Sequence, residues 1–246
     1  MQADHFDQQK LLALAAEDVA LSQLTHRKRT LPENAAVEAA EEAQRASSGD
    51  VVRAETEVRD LDRDQKRLEA DVDTVRQRAT RDQQRLDGGS ASPKEMTSLQ
   101  HELESLARRQ GDLEDQVLEL MERRETADAA LASAQQALAQ AQADGARATQ
   151  LRDDALADIA DQTAVHEARR AEVAGTVPAP LLALYDRIAK QTGTTGAAHL
   201  HARRCEGCRI ELYGNELSTF RNADPHTVLR CENCGRILVR TADSGL

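Results

Sequence analysis

The chain has 246 residues, a net charge of −11 and only 2% aromatic residues, with no Trp. Because aromatic side chains supply much of the burial in a compact core, this composition excludes a large globular interior. Charged residues make up 30% of the chain, and such a mixture is typical of long helices that bury a narrow apolar seam. The sequence therefore predicts a mostly α-helical protein.

The charge is unevenly distributed along the chain. From His199 onward seven Arg stand against six acidic residues, a net charge of +1, whereas residues 1–198 hold 25 basic and 37 acidic groups, a net charge of −12. The acidic part is expected to repel nucleic acids and membrane surfaces.

No apolar run is long enough to span a bilayer, and the N-terminus lacks the layout of a signal peptide. We expect a cytoplasmic protein with no membrane partner.

A first helix is predicted over about Asp4–Arg29. Its apolar face carries leucines at helical spacing: Leu11, Leu14, Leu21 and Leu24. A break is predicted near 30–34, because Pro32 cannot continue a helix from the preceding turn. The natural partner of this first helix is the end of the long return helix, near Leu151–Val173.

Two long segments, Val51–Leu86 and Leu99–Ala148, carry apolar or small residues at alternating steps of three and four. This spacing predicts a left-handed coiled coil. Helix-breaking residues near 87–93 separate the segments, so they are expected to fold back on each other as a long antiparallel hairpin. Four polar residues occupy seam positions and are expected to fix the register: Gln65, Asp82, Gln110 and Arg124.

The limits of the helices follow from capping residues and helix breakers. Ser92 is expected to cap the return helix, with Pro93 at its first position and Glu95 at its third. The return helix should end near 175–178, before a short helix over 180–190. We therefore predict two domains, a helical hairpin over 1–192 and a small β domain over 199–246, which are expected to unfold separately.

Four cysteines form two C-x-x-C pairs separated by 22 residues, and no other cysteine is present: Cys205, Cys208, Cys231 and Cys234. Two such pairs at this interval indicate a structural zinc ribbon. Four thiolates give closed tetrahedral coordination with no position left for a substrate. We therefore predict one structural Zn²⁺ and no catalytic cysteine, with strands over 209–212, 227–230 and 236–240.

Three alternatives for the cysteines are weaker. A rubredoxin-like iron site is usually surrounded by aromatic residues, which are scarce in this chain. Two disulfides are disfavoured because cysteines within one knuckle are too close for relaxed bridging and the cytosol is reducing. Three histidines flank the site and could replace a cysteine: His199, His201 and His226.

We expect Gly207 and Gly235 to relieve strained backbone in and after the knuckles.

The order of these elements resembles the bacterial four-cysteine zinc-ribbon coiled-coil family of actinobacteria, chlamydiae and epsilon-proteobacteria. The resemblance covers essentially the whole chain, and its most specific element is the run Cys234-Gly-Arg-Ile-Leu238. Glu232 departs from the proline that many zinc knuckles place there. The resemblance implies a non-enzymatic regulator or adaptor, since some family members are described as binding an alternative sigma factor or RNA.

The residues favour an adaptor that presents the coiled coil and the ribbon to a protein partner of the transcription machinery. The alternative is a protein that binds RNA or DNA through arginines of the ribbon: Arg203, Arg204, Arg209 and Arg236. Four thiolates on Zn²⁺ carry a formal charge of −2, which opposes this alternative. No catalytic motif is present, so we expect neither an enzyme nor a small-molecule substrate. A hairpin that satisfies its own seam favours a monomer, and the alternative is a dimer.

Overall fold

The computed structural model describes residues 1–89 and 92–246. Four helices come first: α1 (His5–Arg29), α2 (Pro32–Asp87), α3 (Pro93–Gly175) and α4 (Ala179–Thr192). A small C-terminal part follows, with β1 (Ala197–His201), β2 (Arg204–Cys205), α5 (Gly214–Asn222), β3 (Ile237–Val239) and a 3₁₀ turn (Ala242–Ser244). This is the predicted mostly α fold with a small C-terminal sheet. No helix of the described residues is long and apolar enough to cross a bilayer.

The helices begin and end where the sequence predicted. The carboxylate of Asp4 accepts a hydrogen bond from the Phe6 amide at 2.8 Å and caps α1. Pro32 begins α2, at a position where its missing N–H costs no hydrogen bond. The Ser92 amide and hydroxyl both donate to the Glu95 carboxylate at 2.8 Å, as in a capping box. Of the predicted turn over 87–93, Ser90 and Ala91 lie outside the described residues.

The chain forms two compact units. One contains residues Met1–Pro32 and Leu151–Leu246, and the other contains Glu33–Gln150. The boundaries of these units differ from those of the predicted domains over 1–192 and 199–246, because residues 1–32 and 151–192 belong to the same unit as the ribbon. The reason is that α1 and α4 pack on the sheet of the ribbon and share one core with it.

The unit formed by Glu33–Gln150 is the helical hairpin. Its buried apolar residues are seam residues of both helices: Val37, Leu61, Val72, Leu99, Leu113 and Ala127. Ion pairs join the two helices beside the seam, with Arg76 bound to Glu114 at 2.6 Å and Arg78 bound to Glu102. Such exposed pairs contribute little to stability, so the narrow apolar seam holds the hairpin together.

Polar residues interrupt this seam as predicted. Gln65, Asp82 and Arg124 are half-buried, and each places one buried side-chain atom without a hydrogen-bond partner in the described part of the chain. Burying a polar atom without a hydrogen bond costs free energy. Ion pairs offset part of this cost at Asp82, 4.0 Å from Arg78, and at Arg124, 3.9 Å from Asp128. The Gln65 layer has no such pair among the described residues and fits the predicted role in fixing the register of the two helices.

The other unit is built around the packing of α1 and α4 on a three-stranded sheet. The strand order is β2-β1-β3, with β1 antiparallel to β2 and parallel to β3. The core contains fully buried residues of both helices and of β3: Leu11, Leu14, Leu181, Tyr185, Ile188, Ile237 and Val239. Further along the same unit, Leu24 and Leu31 pack with Ile159 of α3, which is the partner segment predicted for α1.

Tyr185 ties α4 to α1 and α3. Its side chain is fully buried, and its hydroxyl donates a hydrogen bond to the Asp18 carboxylate at 2.6 Å. Arg170 donates to the other oxygen of that carboxylate at 2.5 Å. Burial, reinforced by the negative charge of Asp18, raises the pKa of the Tyr185 hydroxyl. Tyr185 therefore stays uncharged and acts only as a hydrogen-bond donor to Asp18. The negative charge of Asp18 is balanced by Arg170.

The strands of the ribbon were predicted only in part. The strand over 236–240 is confirmed as β3. The segments 209–212 and 227–230 instead contain isolated bridges, at Glu211, Thr227 and Arg230. Knuckle hydrogen bonds occupy the backbone of Arg209 and Ile210, whereas the Thr227 and Val228 amides donate to the Asp224 and Met1 carbonyls. Sequence patterns also missed β1 and α5. The second of these, α5, begins at Gly214.

The N-terminus of the chain also binds the ribbon. The Ala3 amide donates to the His226 carbonyl at 2.8 Å, and the Val228 amide donates to the Met1 carbonyl at 3.1 Å. The buried Gln8 amide donates to the carbonyls of Ala3 and Pro225. Together with the shared core, these contacts are inconsistent with the expectation that the ribbon unfolds separately from every helix.

We predict that Leu113→Ala destabilises the hairpin by about 2–5 kcal/mol, because Leu113 is a fully buried seam residue. Zinc content should not change. Thermal unfolding followed by circular dichroism measures the effect. Leu118→Ala on the same helix is the matched control, since Leu118 is 59% exposed and its truncation should change stability by less than about 0.5 kcal/mol. Equal destabilisation by both variants would contradict the assigned seam.

Candidate metal centre

Two turns of the same geometry carry the cysteines. In the first, the Arg209 amide donates to the Cys205 carbonyl at 2.6 Å, and the Cys205 amide donates to the Ile210 carbonyl at 2.9 Å. In the second, Gly235 donates to Cys231 at 2.8 Å, and Cys231 donates to the carbonyl one residue beyond Gly235 at 2.9 Å. Each turn directs its two thiols to one side, so the C-x-x-C spacing produces two equivalent knuckles.

The two knuckles meet with their four sulfur atoms in one cluster. All four Sγ atoms lie within 4.8 Å of one another. The distances between knuckles are 3.8 Å from Cys205 to Cys234 and 3.8 Å from Cys208 to Cys231. A tetrahedral zinc ion with Zn–S bonds of ~2.3 Å requires sulfur atoms ~3.8 Å apart. The thiols are free, and the residues present fit one structural Zn²⁺.

The backbone of each knuckle stabilises thiolates. Burial raises the pKa of Cys205, against the effect of hydrogen bonds from the Cys208 and Gly207 amides. Burial also opposes ionisation of Cys234, but hydrogen bonds from the Arg236 amide and side chain hold the pKa of that thiol below its ordinary value. Zinc, when bound, supplies the positive charge that keeps all four sulfurs ionised.

The site is closed. Cys205 and Cys231 are buried, and Cys208 and Cys234 are half-buried. An apolar layer of Leu200, Leu212, Phe220 and Leu238 packs against the cysteines. With four protein thiolates around one metal ion, no coordination position is left for water or substrate. A zinc ion held by these residues would cross-link the two knuckles of the ribbon.

The cluster consists of cysteines alone, and the flanking histidines have other contacts in the described structure. His199 shares a 2.7 Å hydrogen bond with the Thr241 hydroxyl, and its ring lies 5.7 Å from that of His201. His226 lies 3.9 Å from the Asp4 carboxylate. The replacement of a cysteine by histidine, considered from the sequence, does not occur here.

The two knuckle glycines have different roles. Gly235 has a φ of 74°, in the left-handed region that favours glycine, as predicted. Gly207 does not have a positive φ. A Cβ atom there would lie 2.7 Å from Cδ of Arg236 and 3.0 Å from Cβ of Ala198. Gly207 is therefore required by close packing, not by backbone conformation.

The structure separates the four candidate contact arginines into two groups. Arg203, Arg204 and Arg209 are exposed around the first knuckle. Arg236 is half-buried, with its stem against Gly207 and its guanidinium donating to Thr194 and Thr195. Arg236 thus stabilises the ribbon internally, and its prediction as a partner contact is not supported by these hydrogen bonds.

Two exposed residues beside the first knuckle were not singled out from the sequence. Ile210 is 45% exposed and Tyr213 is 69% exposed. The Tyr213 hydroxyl donates to the Glu211 carboxylate at 2.9 Å. Ile210 lies in the segment 209–212 that was predicted as a strand. Only the fold reveals that these apolar side chains are left in solvent.

We predict that Cys231→Ser abolishes zinc binding and also destabilises α1 and α4, because both helices share their core with β1 and β3. Elemental analysis should give one zinc per wild-type chain and none in the variant. Hydrogen exchange should then rise in residues 5–29 but remain slow in the seam of the hairpin near Leu113. Unchanged protection of residues 5–29 would contradict the shared core.

Comparisons with known proteins agree with this architecture. Residues 14–193 match a model described as the CT398-like coiled coil hairpin domain, and residues 204–238 match a C4-type zinc ribbon domain. An uncharacterized protein of Mycobacterium tuberculosis is 38% identical over 240 residues, which cover 98% of each chain. An uncharacterized protein of Mycobacterium leprae is 32% identical and covers 82% of this chain and 86% of its own.

Solved structures share the fold. A structure from Mycobacterium smegmatis has a TM-score of 0.86 and 32% identity, and the match covers 98% of this chain and 100% of that one. CT398 from Chlamydia trachomatis has a TM-score of 0.65 at 18% identity, with 95% and 97% of the chains covered, which shows the fold alone. The hairpin, the closed four-cysteine centre and these matches together show that the chain belongs to the CT398-like coiled-coil hairpin family with a C4-type zinc ribbon.

Proposed function

We propose that this protein is a non-enzymatic, monomeric cytoplasmic adaptor that uses its ribbon and coiled coil to hold a protein partner. The observation that carries this proposal is the surface of the first knuckle. Ile210 and Tyr213 are exposed there, next to a zinc site that leaves no position for a substrate. Exposed apolar residues next to arginines are typical of protein-binding surfaces.

The backbone of the same surface is strained. Arg203 and Arg209 have φ angles of 64° and 62°, and such left-handed conformations cost a non-glycine residue roughly 1–2 kcal/mol. Arg209 occupies the position at which the equivalent second knuckle has Gly235. Strain at positions where glycine would be relaxed is frequent at functional sites. These two arginines therefore support a binding role for this surface.

Several arginines of the ribbon are used internally, which argues against nucleic acid as the partner. Arg240 donates to carbonyl oxygens of five residues at the end of α5 and beyond it: Phe220, Ala223, Asp224, Pro225 and Thr227. Arg230 donates to Gly235 at 2.7 Å. The exposed arginines of the first knuckle share their surface with Glu206 and Glu211, so no phosphate-binding face with a clear excess of positive charge results.

Binding to RNA or DNA is the second candidate function, favoured by three exposed arginines. We expect fluorescence titrations with labelled single- and double-stranded probes to give only weak binding at physiological salt. The triple variant Arg203→Ala, Arg204→Ala, Arg209→Ala tests the alternative, because each lost phosphate contact should reduce the log–log salt slope by roughly one. Submicromolar binding that the triple variant loses would favour the nucleic-acid function.

Capture experiments with the intact chain test the adaptor proposal. Wild-type protein should retain a specific protein from a nuclease-treated lysate of the source organism, and the double variant Ile210→Ser, Tyr213→Ser should lose it. Val165→Ser is the matched control, since Val165 is also exposed, on α3. Both variants must keep their zinc. Retention that nuclease abolishes, or that the double variant leaves unchanged, would count against the proposal.

A further inference from the structure

The hairpin unit has an apolar groove on one flank of its seam. The groove has a volume of about 600 Å³ and lies between α2 and α3. Ala70 and Val72 of α2 and Val117 and Leu118 of α3 form its apolar lining. Leu118 is 59% exposed, and Met121, one turn further along α3, is 44% exposed. Two large apolar side chains, one turn apart, are thus left in solvent beside the groove on a highly charged helix pair.

The position of these residues follows from the heptad pattern. Val72 and Val117 are seam residues, whereas Leu118 follows the seam position and Met121 lies one turn beyond Val117 on the same flank. The seam of a two-helix hairpin explains Val72 and Val117 but not Leu118 and Met121. An apolar stripe beside the seam of two helices is where a third helix packs in a helical bundle.

The rim of the groove is acidic. Glu69, Asp73 and Glu114 line it together with Arg76, which is paired with Glu114 at 2.6 Å. Glu69 accepts a hydrogen bond from the neutral Gln65 amide at 2.8 Å, and neither Glu69 nor Asp73 forms an ion pair within the described part of the chain, so both keep their charge at the rim. Residues 33–150 as a whole carry 26 acidic and 16 basic side chains, a net charge of −10. The groove therefore attracts basic ligands and repels anionic ones.

The charge decides which occupant fits. A second copy of this chain, with a net charge of −11, would bring another acidic surface to an acidic rim, and a nucleic acid would be repelled more strongly. We propose that the groove lined by Leu118 and Val72 docks an amphipathic helix of a partner protein whose apolar stripe is flanked by Lys and Arg. This inference rests on the proposed adaptor function and assigns it a surface and a ligand chemistry.

The proposal is tested on the intact, zinc-loaded chain with synthetic helical peptides of about 21 residues, or three heptads, with Leu at the a and d positions and Lys flanking them. Fluorescence anisotropy should show binding of this peptide that weakens as salt is raised. The double variant Leu118→Gln, Met121→Gln should weaken binding by about tenfold or more. Val52→Gln is the matched control, since Val52 is an equally exposed residue of the hairpin outside the groove.

Two further peptides separate groove docking from general attraction to an acidic protein. A peptide of the same composition with a scrambled, non-amphipathic order, and one with Glu in place of Lys, should both bind at least about tenfold more weakly. Equal binding of the scrambled peptide, or equal weakening by Val52→Gln, would overturn the proposal. If the peptide tests fail but Ile210 and Tyr213 still capture a protein from the lysate, only the groove proposal is refuted. If the peptide tests and the lysate capture both fail, the adaptor function is refuted as well.

Discussion

Four sulfur atoms must lie at the corners of one tetrahedron, and most of the C-terminal structure is arranged around that requirement. The sulfurs come from two knuckles that are separated by 22 residues in the chain. Facing sulfur atoms of the two knuckles lie 3.8 Å apart. Bringing them together places β2 beside β1 and β1 beside β3. The other face of this small sheet is apolar, and α1 and α4 cover it. Metal coordination and helix packing therefore stabilise one another in the same unit.

The hairpin depends on a different constraint. Its stability comes from a seam only one residue wide on each helix, and polar layers such as those at Gln65 and Arg124 interrupt that seam. A narrow seam leaves the flanks of the helices free to carry charge, which accounts for the net charge of −10 over residues 33–150. It also means that an apolar residue on a flank, such as Leu118, contributes almost nothing to folding.

Local signals were sufficient to predict much of the fold. Pro32, Ser92 and Gly175 determine helix limits within a few residues of their own positions, and the C-x-x-C spacing fixes the metal ligands. What the sequence did not reveal depends on partners distant in the chain. Strand β1 (Ala197–His201) has no β-branched residue and becomes a strand because it pairs with Ile237–Val239. The guanidinium of Arg236 donates hydrogen bonds to Thr194 and Thr195. These residues lie 42 and 41 positions earlier in the chain, so no local sequence pattern predicts the contact.

Departures from local rules can be sorted by whether the fold itself explains them. Gln65 in the seam has an internal explanation, because a polar layer fixes the pairing of the two helices. Arg209 in a left-handed conformation, exposed Tyr213 and exposed Leu118 have none, since glycine or a polar residue would serve folding better at each position. Natural sequences keep such costs mainly at functional sites. This pattern supports the proposal that the first knuckle and the flank of the hairpin keep these residues for binding, not for folding.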